Sequence, residues 1–115
     1  MDRVKGLIRD VPDFPMKGIV FKDITPVLKD PKALGEIIDS FGRMYRDRKI
    51  DAIVGIESRG FIIGAPLALS MGIPFIPIRK KGKLPYDKIM TSYKLEYGEA
   101  TIEIHTDALE KGQRV

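Results

Sequence analysis

Between Pro31 and Arg46 the apolar residues Leu34, Ile37, Ile38, Phe41, Met44 and Tyr45 recur at intervals of three and four. They face a polar back of Lys32, Glu36, Asp39, Arg43 and Arg46. That period predicts an amphipathic helix. Asp30 followed by Pro31 supplies its start, a capping carboxylate and then a proline at the first helical position. The spacing changes at Ala52, Ile53, Val54 and Ile56, a near-continuous apolar run that suits a strand covered on both faces. Residues 60–71 carry Phe61, Ile62, Ile63, Ala65, Leu67, Ala68 and Leu69 with no polar face. A helix there is expected to be buried, within the fold or against another subunit. Gly72 and Pro74 end it, and residues 74–78 predict the next strand.

The flanking regions are less regular. Residues 3–9 predict a short amphipathic helix closed by Pro12. Residues 13–23, punctuated by Pro15 and Gly18, predict a loop with a short strand, and Thr25-Pro26 a brief helical turn. Near the other end, a two-residue turn at Gly98-Glu99 would pair Tyr97 with Ala100, Glu96 with Thr101 and Leu95 with Ile102. Lys94 would then face Glu103 and Tyr93 would face Ile104, so that apolar and opposite-charge pairs alternate as in a hairpin. Residues 107–115 predict a turn leading into a new strand. Helices between buried strands make the class α/β with a mainly parallel sheet.

Composition narrows the chemistry. At 115 residues the chain suits a single domain, near the lower end for an open α/β sheet. No apolar run approaches the roughly 20 residues of a membrane helix, so no membrane partner is expected. The first residues lack the apolar core of a secretory signal, and a cytoplasmic setting fits a chain without cysteine. Without cysteine, and with His105 as the only histidine, thiolate and histidine metal sites are excluded and no metal held by protein ligands is expected. The net charge of +4 is modest, but four of the five residues from 79 to 83 are basic.

Two turns stand out. Glu57-Ser58-Arg59-Gly60 follows the first buried strand and opens a helix, which offers backbone N–H groups, a hydroxyl and a guanidinium to an anion. Arg79-Lys80-Lys81-Gly82-Lys83 follows the next strand. Cationic turns after successive strands of one sheet point to a phosphorylated small molecule at its carboxyl edge. Plainer readings exist: Arg59 can pair with Glu57 or cap a helix, and residues 79–83 can be a solvated loop. Pro77 stands where a Walker loop needs its first glycine. Glu96, on the polar strand face with Ser92 and Lys94, is either a solvated carboxylate or a general base. Tyr86, Tyr93 and Tyr97 suit packing. His105, opposite the Ile102/Ile104 face, is expected to be exposed. Phe14 and Phe21 permit an aromatic-backed slot for a flat ligand. A nucleic-acid module would rest on residues 79–83 alone, with no docking motif or aromatic platform beside them, so no nucleic-acid partner is expected.

Several blocks resemble the adenine phosphoribosyltransferase family: Asp13 to Pro15, then residues 18–28, 55–61, 78–85, 92–98 and 107–115, in order from end to end. The resemblance implies a type I phosphoribosyltransferase-like α/β fold, with an N-terminal hood over residues 1–28 and a hairpin lid near 84–95. It also implies a homodimer that joins adenine to 5-phosphoribosyl-1-pyrophosphate, with magnesium carried on the substrate, giving AMP and pyrophosphate. Carried over by position, Val20, Phe21 and Lys22 form the adenine pocket. Family members often have arginine where this chain has Lys22, which keeps the charge but loses a planar stacking group. Glu57, Ser58, Arg59 and Gly60 form the pyrophosphate loop, with a cis bond between Glu57 and Ser58. Arg79, Lys80 and Lys83 hold the leaving group, partly across the dimer. Glu96 and Tyr97 lie near the reacting centre, with Glu96 as general base and Arg59 as the catalytic cation.

The family's two consecutive acidic residues followed by Thr-Gly-Gly do not occur in these 115 residues. The resemblance thus implies an incomplete domain, with the C-terminal part of the fold expected to be missing from these residues. Negligible transferase activity and marginal stability are expected of residues 1–115 alone. A steady-state assay of AMP formation checks this, and robust turnover would refute it. A phosphoribosyltransferase-fold regulator that binds nucleotide without turnover is the alternative.

Overall fold

The computed structural model describes residues 1–95 and 98–115. It comprises two compact units, Met1–Arg43 and Met44–Val115.

The first unit holds α1 (Asp2–Leu7), β1 (Arg9–Pro12), β2 (Val20–Asp23), α2 (Thr25–Lys29) and most of α3 (Pro31–Tyr45). Val4, Val27 and Ala33 are its buried centre, with Leu7, Ile8 and Ile37 packed against them. Burying one such valine contributes on the order of 1.5–3 kcal/mol. Asp30 caps α3 as the sequence indicates: its Oδ1 accepts the N–H groups of Lys32 at 2.9 Å and Ala33 at 3.2 Å. The first helix covers Asp2–Leu7 where residues 3–9 were predicted, and the stretch up to Pro12 is not a loop. Arg9–Pro12 pairs antiparallel with β2, matching Asp10 to Lys22 and Val11 to Phe21. Pro12 ends a strand, where a missing N–H does little harm.

Asp23 closes this unit's turn into α2. It accepts the Thr25 hydroxyl at 2.6 Å and N–H at 2.9 Å, and the Arg9 guanidinium at 2.6 Å. These bonds, led by the Thr25 hydroxyl, lower its pKa to about 2. A carboxylate depressed on folding stabilises the native state above its ordinary pKa and loses that contribution as protons bind. The wild-type chain should therefore lose it between about pH 4 and pH 2. Asp23→Asn should lack it at every pH, so that melting temperatures of the two proteins converge towards pH 2. A gap that stays constant across that range would contradict the assignment.

The second unit is built on a four-stranded sheet. Its strands are β3 (Ile53–Ile56), β4 (Phe75–Lys80), β5 (Lys88–Leu95) and β6 (Gly98–His105), in the order β3-β4-β6-β5. Helix α4 (Arg59–Met71) crosses from β3 to β4. It ends at Gly72, whose φ of +68° is a left-handed cap suited to glycine. The α/β class holds, but the sheet is mixed where a mainly parallel one was predicted: β3–β4 is parallel, while β4–β6 and β6–β5 are antiparallel. The hairpin returns to lie directly beside β4, which makes those contacts antiparallel.

The hairpin register also differs. Tyr93 pairs with Ala100, Lys94 with Glu99 and Leu95 with Gly98, and Glu103 faces Met90 rather than Lys94. Gly98 and Glu99 belong to β6 and are not a turn. The shift is four residues, an even number, so each side chain keeps the face it was assigned. Alternation alone cannot distinguish the two registers. His105 is half-buried instead of exposed, with its ring edge-to-face against Tyr86 at 6.2 Å. Residues near the end do not add a strand. Arg114 docks beside Asp51, whose N–H donates to the Arg114 carbonyl at 2.7 Å.

Only part of α4 is buried. Gly64, Leu67 and Ala68 pack inward, while Leu69 is 85 % and Ile62 38 % exposed.

Candidate functional site

Parallel pairing sets the geometry of the two cationic turns. Ile56 is matched with Ile78, so β3 ends there while β4 runs on through Arg79 and Lys80, two residues beyond the predicted strand end, held by pairing with β6; the two basic segments start as neighbours. Glu57 joins them. Its N–H donates to the Ile78 carbonyl at 2.9 Å, and its Oε1 accepts the Lys80 N–H at 2.5 Å and Arg79 Nε at 3.2 Å. The Lys80 N–H is the main reason the Glu57 pKa lies below its ordinary value, opposed by burial and reinforced by Arg79. Glu57 therefore pairs with the second turn and not with Arg59.

That leaves Arg59 free. It is exposed at the first position of α4, and its guanidinium makes no hydrogen bond or ion pair among the described residues. Ser58 precedes it as an exposed N-cap residue, without a side-chain capping bond. The hydroxyl and the first N–H groups of the helix thus remain available to an anion. The peptide bond between Glu57 and Ser58 is cis, as the family resemblance implies; Phe14–Pro15 is cis as well.

Arg79 behaves differently from its neighbours. Beyond its bond to Glu57, its guanidinium lies 5.8 Å from the Phe61 ring centroid. Lys80, Lys81 and Lys83 are exposed, and none of their ammonium groups makes a hydrogen bond or salt bridge among the described residues, although the Lys80 charge acts on Glu57. The second turn therefore offers three free cations and one that is already engaged.

Close backbone packing positions the first turn. A Cβ built on Gly55 would lie 2.7 Å from the Gly60 carbonyl oxygen and 3.0 Å from Phe75 Cζ. One built on Gly60 would lie 3.2 Å from the Gly55 backbone. Strand and helix meet there main chain against main chain. The pattern of the sequence marked Gly60 as a ligand contact and gave no role to Gly55; two glycines bracketing a polar turn were the available signal.

In the first unit, Phe21 packs edge-to-face on Phe14 with centroids 5.2 Å apart and an interplanar angle of 76°. An open hollow of about 390 Å³ is lined by Val11, Phe14, Phe21 and Asp23. Alternation along β2 turns Val20 and Lys22 away from Phe21. Lys22 reaches Asp10 at 2.5 Å, an ion pair with both side chains well exposed. Of the three residues expected at an adenine pocket, the hollow receives the side chain of Phe21. Glu96 and Tyr97 lie outside the described residues.

No protein-family model matches the sequence. Among curated proteins, it is 59% identical over 112 residues to the adenine phosphoribosyltransferase of Halothermothrix orenii, covering 97% of this chain and 66% of that protein. It is 55% identical over 115 residues to that of Anaeromyxobacter dehalogenans, covering 100% and 67%. The chain thus spans about two thirds of the length of these relatives. The crystal structure of the Thermoanaerobacter pseudethanolicus enzyme superposes with a TM-score of 0.94 at 52% identity, over 99% of this chain and 66% of that one. The Saccharomyces cerevisiae enzyme, complexed with an imino-altritol 1,6-bisphosphate and adenine, gives 0.91 at 39% identity, over 97% and 66%.

Proposed function

The chain belongs to the adenine phosphoribosyltransferase family, and from that membership we propose that it serves in transferring phosphoribosyl from 5-phosphoribosyl-1-pyrophosphate to adenine. The products are AMP and pyrophosphate. The single observation that carries this reading is the junction of two cationic segments through Glu57, with the side chains of Arg59, Lys80 and Lys83 free of hydrogen bonds and salt bridges among the described residues.

Phosphoribosyl transfer needs that arrangement. As the bond from C1′ to the pyrophosphate oxygen breaks, its electron pair leaves with the pyrophosphate, and the sugar becomes oxocarbenium-like. Cations held where that negative charge gathers lower the barrier. In this reading Ser58, Arg59 and Gly60 hold one end of the diphosphate, and Lys80 and Lys83 the other, with Arg79 anchored on Glu57 between them. The adenine N9 electron pair forms the new bond to C1′, and its proton passes to a base, the role proposed for Glu96 with Tyr97 beside it. Adenine stacks on Phe21. Val20 and Lys22 contribute main-chain groups from the edge of β2 that β1 does not pair.

The family generally uses magnesium with its sugar substrate. The residues of the two turns do not fit as its ligands: Glu57 is already bonded to Lys80 and Arg79, and the rest of the donors are cationic or neutral. The proposal places the ion on the substrate's oxygens and routes no protein step through it. No helix among the described residues is long and apolar enough to cross a membrane. The proposal sets the protein in the cytoplasm as a homodimer, supported by the exposed apolar face of α4. Light scattering should give twice the 12.9 kDa chain mass, and Leu69→Lys should return it to the monomer value.

Calorimetric titration of the chain with inorganic pyrophosphate tests the central claim. Saturable binding is expected, weakening steadily as salt shortens the Debye length from about 10 Å at 0.1 M to about 3 Å at 1 M. Absence of binding at low salt would remove the physical basis of the reading.

A further inference from the structure

We propose that Glu103 is a positioning residue: its carboxyl group holds the Gly82 N–H and fixes the cationic turn in the shape that receives a diphosphate. The inference rests on the phosphoribosyl-transfer reading above. Glu103 is 1 % exposed, and its Oε1 accepts the Gly82 N–H at 2.7 Å.

Four basic residues within five positions repel one another, so an unrestrained loop of this composition would spread. Here the main-chain N–H groups of the turn are tied down. That of Lys80 goes to Glu57 Oε1, that of Lys81 to the Thr101 carbonyl and that of Lys83 to the Lys80 carbonyl. The Gly82 N–H goes to Glu103. Two of the four acceptors are therefore carboxyl groups. They enter from opposite flanks of β4, Glu57 from the end of β3 and Glu103 from β6. Gly82 has φ of +85°, a conformation glycine adopts without strain, which aims its N–H inward.

Glu103 touches the main chain and leaves the lysines alone. It forms no ion pair with any of the basic residues among the described residues, whose ammonium groups stay exposed for a ligand. Its other oxygen, Oε2, is buried and has no partner among the described residues. A buried polar atom without a partner costs stability, and an apolar side chain of the same size would fill the space at less cost. The carboxyl group makes sense as a fixture for the turn more than as a source of stability.

Two core variants separate those roles. Glu103→Gln keeps an oxygen for the Gly82 N–H, whereas Glu103→Met keeps length and volume but removes the acceptor. In the methionine variant the Gly82 amide should exchange about tenfold faster with solvent by NMR. Its pyrophosphate affinity should fall about five- to tenfold, with a melting temperature equal to or above that of the wild type. The glutamine variant should keep slow exchange, and affinity within about twofold, despite a lower melting temperature. Gly82→Ala approaches from the exposed side: its Cβ meets nothing within 4 Å, but φ of +85° disfavours it. It should reproduce the loss of affinity with the buried site intact. Affinity that follows melting temperature across the variants, or unchanged Gly82 exchange in the methionine protein, overturns the proposal. Failure of the wild-type chain itself to bind pyrophosphate would instead overturn the reading beneath it.

Discussion

Replacing Gly55 with alanine is expected to lower the melting temperature by about 10 °C or more and to abolish pyrophosphate binding. The added methyl would sit 2.7 Å from the Gly60 carbonyl oxygen and 3.0 Å from its carbon. Side chains can rotate out of such a clash; here the obstacle is main chain. Relief requires β3 and the first turn of α4 to separate. Overpacking of a tight core costs about 1–3 kcal/mol, and a rigid obstacle puts this site at the upper end. At about 4–8 °C per kcal/mol for a small domain, the shift is large. Binding suffers through the same movement, because Ser58, Arg59 and Gly60 ride on that turn. Gly64→Ala is the control. Its Cβ would meet Ile53 Cγ2 at 3.5 Å and Phe75 at 3.6 Å, ordinary contacts in a helix interior. Alanine is favoured over glycine there by about 0.5–1 kcal/mol, so that variant should be as stable as the wild type or more so. Equal melting temperatures for the two variants would show that the close approach of Gly55 and Gly60 is not what holds the turn.

The contrast between those glycines marks where sequence reading stops. Local signals were legible because they act over a few residues. Asp30-Pro31 announced the cap of α3, and Gly72 the end of α4, through chemistry confined to one turn. The two cationic turns were legible too, since a charge run after a buried strand needs no tertiary knowledge. Properties set by partners distant in sequence were not. β1 reads as Arg9-Asp10-Val11-Pro12, with no alternation, and exists because β2 pairs with it. Glu103 was assigned a lysine partner by a register that satisfied every pairing rule, yet it is the most buried ionisable side chain among the described residues. Arg79 and Arg59 were both assigned from sequence to the pyrophosphate. Folding gives Arg79 a carboxylate and an aromatic ring, and gives the Arg59 guanidinium no partner among the described residues.

That asymmetry sets the second large effect. Arg59→Ala should weaken pyrophosphate binding by about 30- to 100-fold while leaving the melting temperature within about 2 °C of the wild type. A hydrogen bond to a charged group contributes about 1.5–3 kcal/mol, a factor of roughly 10 to 150 in affinity. The guanidinium has no partner among the described residues to lose, so stability should be nearly indifferent. Arg59→Lys should recover part of the affinity, because it restores the charge without the planar two-pronged donor. Arg79→Ala should give the opposite profile. Glu57 would lose its bond at 3.2 Å and Phe61 its covering cation, so the melting temperature should fall. Affinity should fall less than for Arg59, since much of the donor capacity of Arg79 is already spent within the protein. Calorimetric titration with pyrophosphate and thermal melts on the same three variants give both axes at once. Should Arg59→Ala bind pyrophosphate as tightly as the wild type, the free cation at the head of α4 has no part in holding the diphosphate, and the ligand must be sought on the lysines of the second turn alone.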